Sequence, residues 1–212
     1  MNKGGYKNKM KRTYITAISL QGRGGLEKGI YQPDGFMLSK NVETSFPIIP
    51  VIGSTVGNSE DVKIIVLRTE NNDVKDNYEE FLNEVDALGI TRESIKEISI
   101  EENQNKVIGI TTLVRVLEEI PENSLVYADI TFGTKPMSAI ILYAMNCIEN
   151  LKDTEVEGIF YGELPRVGGK SNWERAKLYD LTAYKYLADV VEQLKSFEVS
   201  EPTAVLKTLI NM

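Results

Sequence analysis

Histidine is absent from the 212 residues, which removes every chemistry that needs an imidazole: serine and cysteine triads, histidine-ligated zinc and the histidine bases of most ribonucleases. Cysteine occurs once, as Cys147, so neither an internal disulfide nor a thiolate cage for a metal can form. It sits in an apolar run at 140–148 and reads as a small core residue. No apolar window of about 18 residues occurs, so no membrane-spanning helix is expected. The first dozen residues are basic and lack the apolar run of a secretory signal, and a cytoplasmic location is the expectation. Positive charge is also in deficit: 24 basic residues face 31 acidic ones, for a net charge of −7. That balance argues against a broad nucleic-acid face, although a small anionic ligand in a local pocket stays open.

What positive charge there is gathers early, where Lys3, Lys7, Lys9, Lys11, Arg12, Arg23 and Lys28 face Glu27 alone. Residues 1–12 read as a basic tail. The remainder is of globular composition, with 42% hydrophobic and 26% charged residues, and its length suits one sizeable domain with a small appendage. Five apolar, β-branched runs predict strands at 13–20, 62–68, 95–100, 124–131 and 156–161. Amphipathic helical patterns alternate with them at 73–88, 107–120 and 136–151. Near-continuous apolar strands such as Ile64-Ile65-Val66-Leu67 imply burial on both faces. The predicted fold is therefore α/β, a Rossmann-like parallel sheet flanked by helices on both faces. Residues 21–61 interrupt the rhythm, and Gln32-Pro33-Asp34-Gly35 predicts a β-hairpin insertion after the first strand. A short irregular helix is expected within 44–57, a longer one over 179–197, and a last short one after Pro202.

Three strand ends carry candidate chemistry. Asp129-Ile130-Thr131-Phe132-Gly133-Thr134-Lys135-Pro136-Met137-Ser138 runs from a buried strand through a tight loop into a helix. Pro136 suits the first helical turn, and a helix start beside a lysine and threonine hydroxyls is a ready anion site. Ser19-Leu20-Gln21-Gly22-Arg23-Gly24-Gly25 ends the first strand, where Gly22 and Gly24 let a ligand approach the backbone and Arg23 can pair with a phosphate. Tyr161-Gly162 ends a third strand, where Tyr161 can stack on a base, and Lys170 follows in the next loop. Each has a plain alternative: a structural strand-to-helix turn, a hairpin connection, and a solvated rim. Ligands of open α/β sheets bind beyond the carboxyl ends of the strands, where all three would converge. The chain has neither the spaced third glycine of a dinucleotide fingerprint nor the Lys-Ser/Thr end of a P-loop. No metal and no cofactor is expected.

The 129–138 stretch resembles the signature of CARF domains, the CRISPR-associated Rossmann-fold sensors, with their strand-borne Asp-Ile/Val-Thr, small-residue loop and helix. The likeness extends to the Gly-rich end of the first strand, to Ile159-Phe160-Tyr161-Gly162, and to Tyr179-Asp180-Leu181-Thr182, which looks like the Asp-Leu-Thr of the Csx-type branch. The resemblance implies a homodimer that binds a cyclic oligoadenylate, most simply cyclic tetra-adenylate, in a groove across its two-fold axis and regulates a fused or separate effector. Its ligand-facing positions would be Ser19, Gln21, Gly22 and Arg23, with Thr131, Phe132, Gly133, Thr134 and Lys135; Gly24, Pro136, Tyr161 and Gly162 border them. Residues 13–197 would form the CARF-like domain, and 198–212 a short helix or the start of a linker to an effector that this chain does not contain. Two other readings stay open: a slow, metal-independent ring nuclease that cleaves the same ligand, and a Rossmann-like enzyme acting on an ordinary mononucleotide.

Overall fold

The computed structural model describes residues 10–20, 26–57, 61–70, 72–101 and 105–210. Five strands, β1 (Lys11–Ala17), β3 (Val62–Thr69), β4 (Ile95–Ile100), β5 (Ser124–Asp129) and β6 (Thr154–Glu163), are parallel. Two shorter ones, β2 (Gln32–Asp34) and β9 (Lys177–Asp180), extend the sheet to seven strands in the order β2-β9-β6-β5-β1-β3-β4. A separate two-stranded hairpin joins β7 (Arg166–Val167) to β8 (Lys170–Ser171). The helices are α1 (Ile48–Thr55), α2 (Asn72–Ala87), α3 (Lys106–Glu119), α4 (Lys135–Leu151), α5 (Thr182–Ser196) and α6 (Pro202–Ile210).

Strand periodicity sorts the apolar residues into two cores. Tyr14, Ile64, Val66, Leu125 and Tyr127 face α1, α2 and the segment after β1, where Phe46, Ile48, Ile52, Val74, Phe81 and Val85 meet them. Their chain neighbours Ile15, Ile65, Leu67, Val126 and Ala128 face Val116, Met137, Ile141, Met145 and Ile148 of α3 and α4. Both faces are thus covered, as the apolar strands predict. A bulge changes this sorting on β6: the register with β5 slips by one residue between Val126 and Tyr127, so Val126 opposes Val156 but Tyr127 opposes Gly158. Because a one-residue slip exchanges the two faces, Val156 lies in the α3/α4 core whereas Phe160 lies in the other. Gly162, two residues on, faces the same side as Phe160.

The insertion after β1 differs from the expected hairpin. Gln32–Asp34, predicted as the turn, form a strand parallel to β9, and the antiparallel contact of this region is a single bridge between Gly29 and Thr44. Tertiary anchoring overrides the turn signal here. Glu84 of α2, nearly buried, accepts a hydrogen bond from the Thr44 hydroxyl and another from the Ser45 amide at 3.2 Å. Lys28 pairs with the same carboxylate at 3.3 Å. Gly29 lies against the Trp173 ring, whose Cδ2 would be 2.2 Å from an added Cβ, so only glycine fits. The helix expected from 179 begins at Thr182, because residues 177–180 pair antiparallel with β6 first.

Candidate functional site

Chain order across the parallel strands reverses at β1, which has β3 on one side and β5 on the other. In open α/β sheets this switch point opens a crevice beyond the strands' carboxyl ends. A cleft of about 320 Å³ lies there. Ser19 after β1, Thr131 and Phe132 after β5, and Gly162 near the end of β6 all line it. The insertion contributes Leu26, Glu27, Tyr31 and Ser45, and the segment after β6 contributes Leu164, Arg166 and Ser171.

Asp129 organises one wall. Its carboxylate is fully buried and accepts hydrogen bonds from the Thr131 amide at 2.9 Å, the Thr16 hydroxyl at 3.0 Å and the Thr131 hydroxyl. Burial outweighs these donors and pushes its pKa up to about 6. The Thr131 oxygen in turn accepts from the Gly162 amide at 2.7 Å, and the Ile130 amide donates to the Phe160 carbonyl at 3.0 Å. The Asp-x-Thr motif therefore clips the end of β5 to β6. Asp180-Leu181-Thr182 repeats the arrangement from the other flank. Asp180 accepts from the Thr182 amide at 2.8 Å and from its hydroxyl, the Leu181 amide donates to the Ile159 carbonyl at 2.6 Å, and the Ile159 amide donates to the Thr182 oxygen at 2.9 Å. Both family-like motifs make the same knot on one strand.

The loop into α4 is closed more tightly than a free anion site would be. Gly133 has φ +88°, and an added Cβ would lie 2.8 Å from the Ala17 Cβ and 2.9 Å from the Met137 sulfur. Thr134 caps the helix: its hydroxyl accepts from the Met137 amide at 3.4 Å, and its carbonyl accepts from the Ser138 amide at 3.2 Å. Pro136 brings no amide. The Met137 and Ser138 amides are thus taken up by Thr134, and Lys135, whose side chain is exposed, is the cationic group this helix start offers. Gly133, Thr134, Lys135 and Pro136 stand outside the cleft's lining. Tyr161 also stands apart, stacked on Tyr179 across the β6/β9 pair with ring centroids 6.5 Å apart. Gln21, Gly22, Arg23 and Gly24 lie outside the described residues.

Sequence reasoning missed Tyr31, Ser45, Arg166 and Ser171. Arg166 was within reach of a local signal: Gly168 and Gly169 both have positive φ, +59° and +81°, the pairing a two-residue type I′ hairpin demands. Recognising that hairpin places Arg166 and Ser171 opposite one another. Ser45 had no such signal, because its place comes from Glu84, far along the chain.

The class defined by this fold and this cleft is a Rossmann-like α/β protein whose candidate site lies at the topological switch point. No protein-family model matches the sequence, and no curated protein matches it either. Among solved structures the chain is similar to Csm6 of Enterococcus italicus bound to cyclic hexa-2′-fluoro-hexa-dAMP, at 11% identity and a TM-score of 0.47. The match covers 95% of this chain and 55% of that one, and is too distant to assign a function. Among the described residues, no helix is long and apolar enough to cross a membrane, and no cluster of metal-ligating side chains is found.

Proposed function

We propose that the protein is a sensor of cyclic oligoadenylate, cyclic tetra-adenylate foremost, which two copies of the chain bind across a two-fold axis. The observation that carries this reading is the switch-point cleft itself, framed by the Asp129-Ile130-Thr131 motif that the CARF resemblance rests on. Its volume of about 320 Å³ is at the lower end for ligand sites. That space suits one nucleoside and is too small for a ring of four, so the rest of such a ligand lies over the carboxyl edge of the sheet. A symmetric ring then finds its second set of contacts on a second protomer. An apolar stripe on α3 supports that partner: Val107, Ile110 and Val114 stand exposed at helical spacing, with Tyr143 exposed on the adjoining α4.

Binding without turnover is the favoured mode. Asp129, the group whose pKa lies near 6, is sealed beneath Thr131 and cannot reach a bound ligand. Glu27 is the only carboxylate among the described cleft-lining residues. The signal passes to a fused or separate effector through a difference in affinity between two states of the dimer. Calorimetry with cyclic tetra-adenylate and cyclic hexa-adenylate tests the reading, with the ligand followed by chromatography over hours. Binding with an intact ring is expected. Absence of binding to either ring at micromolar protein refutes the sensor, and linear products convert it to a ring nuclease.

A further inference from the structure

Ser45 is held from every side but its own hydroxyl. Its amide donates to Glu84, the preceding Thr44 bridges to Gly29, and the Thr44 hydroxyl, which donates to Glu84, accepts from the Phe46 amide at 2.8 Å. The Ser45 side chain is 2% exposed and lines the cleft, yet its Oγ has no hydrogen-bond partner among the described residues. A buried, unpaired hydroxyl costs free energy, and such groups in native proteins are explained by what they meet in function. The wall carries the rings of Tyr31 and Phe132 and the side chain of Leu164, together with the neutral hydroxyl residues Ser19, Thr131 and Ser171. Arg166 is the only cation among the described lining residues, and it is exposed on the β7/β8 hairpin. A phosphate driven inward would meet no counter-charge and would approach Asp129. A flat, neutral ring with a hydrogen-bonding edge fits the interior, and its phosphate fits the rim at Arg166. Glu27, exposed at the same cleft, suits a ribose hydroxyl.

We infer that the cleft is a single-nucleotide subsite in which Ser45 Oγ hydrogen-bonds the base edge and Arg166 takes the attached phosphate. This rests on the adenylate-sensor reading for the identity of the whole ligand, but the subsite can be probed with one nucleotide alone. The test titrates the wild type, Ser45→Ala and Arg166→Ala with cyclic tetra-adenylate, cyclic hexa-adenylate and adenosine 5′-monophosphate, and records the melting of each ligand-free protein. Ser45→Ala should bind about 5- to 10-fold more weakly, the worth of one buried hydrogen bond, and Arg166→Ala about 10- to 100-fold more weakly. Removing an unpaired buried hydroxyl should meanwhile raise the melting temperature of ligand-free Ser45→Ala by about 2 to 4 °C. Opposite signs on stability and affinity distinguish a ligand contact from a structural one. Rings bound equally by all three proteins overturn the subsite and leave the sensor standing. Monophosphate bound in a Ser45- and Arg166-dependent way, with no ring bound, overturns the sensor and keeps the subsite. Binding of neither overturns both, and a lowered melting temperature for Ser45→Ala makes its hydroxyl structural and overturns the inference.

Discussion

Replacing Asp129 by Asn should abolish a pH dependence of stability that the fold imposes on this one group. The carboxyl is fully buried, and its pKa rises from 3.8 to about 6 on folding because desolvation exceeds the help of its three donors. A folded-state pKa above the unfolded one means that folding favours the protonated form. The resulting stability is complete below about 3.8 and is lost as pH rises through about 6. Between pH ~4.5 and pH ~7.5 the linkage relation gives a loss of about 2 kcal/mol from this group. Asn keeps the planar shape: its Oδ1 can still accept from the Thr131 amide and hydroxyl, and its NH₂ can donate to Thr16, whose hydroxyl turns to accept. Urea unfolding followed by circular dichroism, at a series of pH values and with equal m-values, yields the stability difference between Asp129→Asn and the wild type. Other carboxylates cancel in that difference. It should move by about 2 kcal/mol in favour of the variant from pH ~4.5 to pH ~7.5. A flat difference, or one that moves the other way, refutes the account of Asp129 as a carboxyl whose charge the fold disfavours.

Three further outcomes are expected. Thr182→Val strands the Ile159 amide and should lower stability by about 1–3 kcal/mol in urea titrations, while calorimetry shows unchanged ligand affinity because Thr182 stands away from the cleft. Lys135→Ala should weaken cyclic oligoadenylate binding by about 1.5–3 kcal/mol, the worth of a charge-assisted contact, at an unaltered melting temperature; equal affinity in calorimetry removes the start of α4 from the site. Val114→Glu places a charge in the exposed stripe of α3, and sedimentation should show a monomer with native circular dichroism; a dimer that survives it lies on another face.

The five parallel strands were legible because each is an apolar run too rich in β-branched residues to be surface. Val62–Thr69 shows this plainly, since only Lys63 and Arg68 break its burial. The two short strands beyond β6 were not legible. Gln32–Asp34 and Lys177–Asp180 are short and polar, and they become strands only because β6 runs on to Glu163 and presents backbone to pair with. Of the candidate site, Ser19, Thr131, Phe132 and Gly162 were found from their places at strand ends. The bulge that turns Gly162 toward the cleft left no mark in the alternation of β6. The roles of the hydroxyls were also hidden. Thr131 and Thr134 look like ligand donors in sequence, but both serve the chain, whereas Ser45, in a stretch without periodicity, is a cleft-lining hydroxyl with no partner among the described residues.

Pro33 sits in the outermost strand, and its position restricts how the protein can assemble. The Gln32 amide donates inward to the Ala176 carbonyl at 3.0 Å, so the alternation of a strand turns the next nitrogen outward, toward the open margin. That nitrogen carries no hydrogen. With only three residues and no donor at its centre, β2 is a poor template for an incoming strand, the usual seed of fibrils and of continuous intermolecular sheets. That margin therefore offers no ladder along which copies of this chain could be zipped together, and of the two margins of the sheet only the one at β4 keeps a full strand of donors.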